Sequence, residues 1–115
     1  MSAKGRSGED KAAEFLAEKN YKIIERNYRF RRGEVDIIAL DGQTLVFVEV
    51  KAWSHYGIDS LEQALDLKKQ RRIIETAKHF LFIHRNYKYM TVRFDVVFIS
   101  PKEISHIESA FTEQV

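Results

Sequence analysis

Two runs of alternating residues around one turn signal constrain this chain more than any other feature. "EVDIIAL" (34–40) and "LVFVEVK" (45–51) flank Asp41-Gly42, and an Asp-Gly step between strand-like runs is a strong β-hairpin signal. The same runs carry Asp36, Glu49 and Lys51. Taking an unpaired charge out of water is costly. The hairpin must therefore build a sheet and also supply partners for charges embedded in it.

Strand side chains alternate between faces. Glu34, Asp36, Ile38 and Leu40 are expected on one face, with Val35, Ile37 and Ala39 on the other. On the second strand Leu45, Phe47, Glu49 and Lys51 share a face. Directly opposed residues project to the same side. A turn with an even number of residues (41–42 or 41–44) thus puts Asp36 on the Glu49 and Lys51 face, and an odd turn reverses it. Asp-Gly favours the even case. Carboxylates crowded in this way raise one another's pKa and destabilise the fold unless a cation sits among them. Hard oxygen ligands suit Mg²⁺ or Mn²⁺, with water and phosphate completing the shell. A neighbouring lysine orients or deprotonates a water nucleophile, or stabilises developing negative charge. That is phosphodiester hydrolysis in outline. A plain ion pair at the exposed end of a hairpin explains any one of these residues alone. All three within apolar strands favour the site.

The remaining pattern predicts a helix over 7–19 with Ser7 as N-cap and Ala12, Ala13 and Leu16 at helical spacing. A strand over 21–30 follows, and after the hairpin a long helix over 61–84 with the stripe Leu67, Ile74, Ala77 and Leu81, widened by Ile73 and Phe80. Strands over 91–100 and 105–111 complete the order α-β-β-β-α-β-β. The expected fold class is α/β, a mixed sheet flanked by helices, the second helix crossing between parallel strands. The 115 residues suit one domain, 1–115. With no cysteine, disulfides and thiolate metal sites are excluded. No apolar run reaches the roughly 20 residues of a membrane span, and "MSAKGRSGED" lacks the apolar core of a signal peptide, so a cytoplasmic protein is expected. A net charge of +2 decides little, but "ERNYRFRRG" (25–33) and "KKQRR" (68–72) concentrate basic residues, the first with Tyr28 and Phe30 interleaved. Such clusters suit nucleic acid, and they also suit a solvated face.

Asp36, Glu49 and Lys51, spaced as Asp-(12 residues)-Glu-x-Lys, resemble the PD-(D/E)xK nuclease superfamily. A more specific combination is Gly8-Glu9, "ERNYRFRRGEVDIIALDG", "LVFVEVK", Tyr56-Gly57 and "RFDVVFI" (93–99). Together these resemble the UPF0102 or YraN-like family, related to archaeal Holliday-junction resolvases, over nearly the whole chain. The resemblance implies a restriction-endonuclease-like fold and a metal-dependent endonuclease acting on DNA, branched or otherwise structured. It makes Asp36 and Glu49 ligands of Mg²⁺ or Mn²⁺, Lys51 the catalytic lysine, and Glu9 a helix carboxylate that joins the cluster. From the residues themselves, Glu9 shares a helical face with Ala12, Ala13 and Leu16 and points toward the body of the domain. A first-turn carboxylate favoured by the helix dipole explains it equally well. The sequence departs from the family after Lys51, where Ala52 and Trp53 replace a small hydroxyl residue and a basic one. Trp53 is expected to be a partly buried aromatic, with base stacking as the alternative.

Supporting roles fall to Glu34, beside Lys51 or a second cation, and to Gln63 and Lys68 facing the site from the long helix. Lys69, Arg71 and Arg72 would contact phosphates, which positions DNA without reading its sequence. As a solvated helix face these residues need no role. Arg93 and Asp95 are expected to form a structural pair. His55, His79, His84 and His106 lack zinc spacing, and only His55 is placed to approach a substrate. The resemblance also allows a homodimer, which no residue here marks. Two other readings stay open: a nucleic-acid-binding module without turnover, and a protein-interaction domain docking through Trp53, Tyr56, Tyr87 and Tyr89.

Overall fold

A computed structural model describes residues 3–52 and 65–113, with side chains from residue 8 onward. Its elements are α1 (Ala3–Glu18), β1 (Lys22–Phe30), β2 (Gly33–Asp41), β3 (Thr44–Ala52), α2 (Leu67–Ile83), a 3₁₀ turn (Arg85–Tyr87), β4 (Thr91–Ile99) and β5 (Ile104–Phe111). The strands form one sheet in the order β1-β2-β3-β4-β5. Neighbours are antiparallel except β3 and β4, which run parallel across the α2 connection. This is the mixed α/β architecture and element order that the pattern predicts.

Both helices differ from expectation at their N-termini. α1 starts at Ala3, so Ser7 lies inside the helix rather than capping it. Serine and glycine cost a helix interior only about 0.5–1 kcal/mol each, too little to stop it there. Its other end is closed by Asn20 in the left-handed region (φ 70). Tyr21 N donates to Leu16 O and Asn20 N to Ala17 O, both at 3.0 Å, which satisfies the last carbonyls as a Schellman motif does. α2 starts at Leu67, where the Asp66 carboxylate accepts a 2.8 Å hydrogen bond from Lys69 N. Residues 61–64 of the expected helix lie outside the described residues.

The hairpin turn is Gly42-Gln43, with Asp41 paired to Thr44 and Leu40 to Leu45. Gly42 carries the positive φ (60) that the tight turn requires. The turn is thus neither of the expected 41–42 or 41–44, because Asp41 still pairs with Thr44 in the ladder, but its even count leaves the opposed residues of β2 and β3 as expected. Leu45, Phe47 and Ile38 join Ile73, Ile74, Ala77 and Phe80 in the core beneath α2. Ile37, Ala39, Val46 and Val48 join Ala12 and Leu16 in the core beneath α1. Val35 departs from strict alternation: it belongs to the α2 core, whereas Ile37 belongs to the α1 core. The alternation slips at Asp36. Gly33 sets the closeness of α2 to β2, since a Cβ there would lie 2.6 Å from the Arg72 carbonyl oxygen and 2.1 Å from Thr76 Oγ1.

At the β4–β5 edge the pairing register shifts between Phe94 and Val96. Asp95, fully buried, fills that irregularity. Its carboxylate accepts from Ser109 N (3.0 Å), from Arg93 Nε and Nη2 (2.9 and 3.0 Å) and from His106 Nε2 (2.7 Å). Lys19 Nζ lies 2.8 Å from His106 Nδ1. An ammonium only donates, so Nδ1 is the acceptor and Nε2–H faces Asp95. Arg93 also reaches Asp41 and the Tyr21 hydroxyl. The expected Arg93–Asp95 pair is thus part of a network tying α1, β2, β4 and β5 together.

Burial pushes the Asp95 carboxyl up, but His106, Arg93 and the Ser109 amide outweigh it and hold the group below the usual carboxylate range. A depressed folded-state pKa contributes stability above the unfolded value, about 4, and loses it as pH falls through the folded one. Asp95→Asn should therefore cost about 3 kcal/mol or more at pH 7, because it strands buried partners. The gap from wild type in urea unfolding should stay constant above about pH 5 and shrink toward pH 2–3. A gap below 1 kcal/mol at pH 7 would show that the network does not brace the sheet.

Candidate functional site

The ladder between β2 and β3 ends at the Ile37–Val48 pair. One step further, where Asp36 and Glu49 face each other, the strands separate. There Asp36 Oδ2 accepts the Val50 amide at 2.7 Å, standing in for the missing ladder bond. This fixes the carboxylate against β3. The Asp36 and Glu49 side chains hydrogen-bond to each other, and the Glu49 side chain is only 7% exposed. Lys51 Nζ lies 3.4 Å and Lys69 Nζ 2.7 Å from the same oxygen, Glu49 Oε2.

Two carboxyl groups this close in a poorly solvated place cannot both ionise cheaply. Burial first, then the Glu49 hydrogen bond and charge, push Asp36 up to about 9, with Glu9 adding to the effect. Burial also pushes Glu49 upward, but the bond from Asp36 and the two lysines outweigh it and hold Glu49 low. Without a cation the two carboxyls therefore favour holding one proton between them, as a pair. Burial lowers the Lys51 pKa, and Lys69 adds to the lowering. For Lys69 burial works downward too, but its contact with Glu49 prevails and raises it.

A polar groove of about 460 Å³ opens over this pair. Asp36 and Glu49 lie at its floor, and Arg32, Lys68, Lys69 and Arg72 stand around it with Lys51, Glu34 and Asp66. Asp36, Glu49, Lys51, Glu34, Lys68 and Arg72 are thus brought together as expected. Lys69, given only a phosphate-contact role from sequence, makes the shorter of the two lysine contacts to Glu49. Arg71 lies elsewhere, lining a separate pocket with Leu67, Ile74 and Glu75. Glu34 meets its cross-strand neighbour Arg29 at 3.3 Å rather than Lys51. Gln63, Trp53, His55 and Tyr56 lie outside the described residues. Tyr87 stacks on Phe80 at 5.8 Å and so belongs to the core rim, whereas Tyr89 is 91% exposed.

Glu9 is buried on α1, as its helical face predicts, but it does not line the groove. Burial raises its pKa, opposed by Arg26 and by a hydrogen bond from Asn27. Glu9 Oε1 has no hydrogen-bond partner, and neither does Asn27 Oδ1 beside it. Unsatisfied acceptors behind a carboxylate pair are suited to a cation or its water shell. Among the described residues no group of three or more carboxylates and imidazoles forms a ready cation cage. Two carboxylates are nevertheless what Mg²⁺ takes from a protein when water and phosphate complete the octahedron. The donor set at Asp36 and Glu49 fits such an ion.

No helix among the described residues is long and apolar enough to cross a membrane. The uncharacterised protein family UPF0102 matches residues 8–99. A UPF0102 protein of Treponema denticola is 44% identical over 125 residues, covering 96% of each chain. One from Persephonella marina is 47% identical over 108 residues, covering 94% of this chain and 92% of the relative. A Thermotoga petrophila protein of that name is 44% identical over 90% of this chain.

A raised folded-state pKa favours the fold below the unfolded value and costs stability as pH climbs toward the folded one. Asp36→Asn keeps an acceptor for Val50 N and a donor for Glu49. In chelator-treated protein this variant should exceed wild type by up to about 5 kcal/mol at pH 8. The excess should grow from about pH 4 to about 9 and then level. Parallel urea-unfolding profiles across that range would show that the carboxylates do not share a proton.

Proposed function

The chain belongs to family UPF0102, and on that premise we propose that it is a divalent-metal-dependent endonuclease hydrolysing phosphodiester bonds of DNA, branched or otherwise structured. The observation that carries this reading is the opposed Asp36–Glu49 pair, held where β2 and β3 part, with Lys51 on Glu49. Evolution seldom keeps such a pair for stability, since one carboxyl must stay protonated to tolerate the other.

A bound Mg²⁺ or Mn²⁺ supplies Lewis-acid polarisation of the scissile phosphate and compensates both carboxylates. Asp36 and Glu49 would hold it, the first oriented by the Val50 amide. Glu9 supports the cluster from behind through its charge on Asp36 rather than from within the groove. Lys51 orients the attacking water and stabilises the negative charge that builds on the pentacovalent phosphorus. The new P–O bond forms as the bond to the leaving oxygen breaks, giving a phosphate monoester and a hydroxyl end. Arg32, Lys68 and Arg72 at the groove hold the backbone by charge and carry no sequence information. The preference for branched DNA rests on the likeness to junction resolvases alone.

The test is cleavage of labelled duplex, single strand, flap and four-way junction with Mg²⁺ or Mn²⁺, recording binding to the same DNAs. Metal-dependent cutting is expected, with Asp36→Asn and Lys51→Ala each slowing it about a hundredfold or more. Salt-sensitive binding that survives both substitutions, without cutting in any metal, would replace this reading with a non-catalytic DNA-binding module. Absence of both binding and cutting would leave the protein-interaction reading.

A further inference from the structure

Lys51 and Lys69 both converge on one oxygen, Glu49 Oε2, and Lys69 is the nearer at 2.7 Å. A second feature marks Lys69 independently. It sits in the first turn of α2, whose backbone N–H groups and dipole disfavour cations. That turn holds no acidic residue, and Lys68, Arg71 and Arg72 crowd the same end. The Asp66 carboxylate caps the backbone of this turn, and the anion that the Lys69 ammonium itself contacts is Glu49, from outside its own helix. The N-cap bond from Lys69 N to Asp66 and the close approach of Gly33 to Arg72 hold this turn over β2 and β3. The Lys69 side chain is 41% exposed, so it has room to swing away, whereas Lys51 is 24% exposed and rooted in β3 two residues from Glu49.

From this geometry we infer that Lys69 is an internal cation occupying the Glu49 oxygen a divalent ion needs, so that the ion binds by displacing it. Lys69 is a positioning residue with two stations: on Glu49 in the metal-free protein, and turned out toward the groove when the ion is bound. The device keeps the like-charged pair compensated until an ion arrives. It also lowers cation affinity in the absence of substrate, since the displaced ammonium then has no partner. A phosphate in the groove, one of the anions of a nucleic-acid backbone, supplies that partner. This inference rests on Asp36 and Glu49 being the cation ligands.

Mn²⁺ binding measured by electron paramagnetic resonance, without DNA, tests it. Lys69→Met should bind Mn²⁺ about fivefold more tightly than wild type or better, the equivalent of freeing one half-buried ion pair. Lys68→Met, which removes the same charge one residue away, reports the general electrostatic gain and should give much less. Lys69→Arg should behave like wild type. Circular dichroism checks that each variant is folded, and Lys69→Gln replaces the methionine variant if that one is not. Lys69→Met no tighter than Lys68→Met overturns the inference. Asp36→Asn separates the premise: if wild type binds Mn²⁺ and Asp36→Asn binds it equally well, the ion is not at this site and both readings fall. Binding lost in Asp36→Asn but unchanged in Lys69→Met leaves the metal site standing and removes only the role of Lys69.

Discussion

The hydrogen bond from the Val50 amide to the Asp36 carboxylate is the contact on which the functional end depends. β2 and β3 pair regularly as far as Ile37 and Val48, then separate. A separating pair of strands leaves backbone N–H groups that must be satisfied. Asp36 satisfies one of them and is thereby fixed opposite Glu49. The groove, the closeness of the two carboxyls and the two lysines on Glu49 all follow from that placement. α2 encloses the pair because Gly33 lets its backbone approach β2 more closely than any side chain would allow.

The same device occurs twice in the sheet, with opposite electrostatics. Asp95 also takes a backbone amide where pairing breaks, that of Ser109. Around Asp95 the protein supplies a guanidinium and an imidazole, and its carboxyl is held low. Around Asp36 it supplies another carboxylate, and the carboxyl is pushed up to about 9. One aspartate is compensated from within and braces the sheet. The other faces a second carboxylate whose counter-ions are the ammonium groups of Lys51 and Lys69, and in the inference above Lys69 is the one that gives way to a divalent cation.

Much of this was legible in the sequence, for identifiable reasons. Asp36 could be assigned to Glu49 because an even turn sets which residues of β2 and β3 oppose each other, and the Asp-Gly signal limits the turn to few lengths. The element order followed from hydrophobic periods and turn residues. Other features depended on tertiary contacts that no local pattern encodes. Val35 joins the α2 core because β2 slips at Asp36, and alternation alone could not show the slip. Lys69 was one of several basic residues in "KKQRR"; only the rotation of α2 over β3 distinguishes it from Lys68 and Arg71. Gly33 could have been suspected, since a glycine opening a strand beside a carboxylate often marks a close backbone approach. His106 meets Asp95 across a register shift, which sequence spacing does not reveal. Glu9 faces inward as its helical stripe requires, but it acts on Asp36 by charge without lining the groove, which the sequence does not reveal.

The most direct measurement is anomalous scattering from crystals soaked in Mn²⁺ at a pH near neutrality. The account predicts a manganese peak bonded to Asp36 and Glu49 oxygens at about 2.0–2.3 Å, the range of hard octahedral cations, with Lys69 withdrawn from Glu49. Crystals that show manganese elsewhere, or none while Asp36 and Glu49 stay bonded to each other, would contradict it.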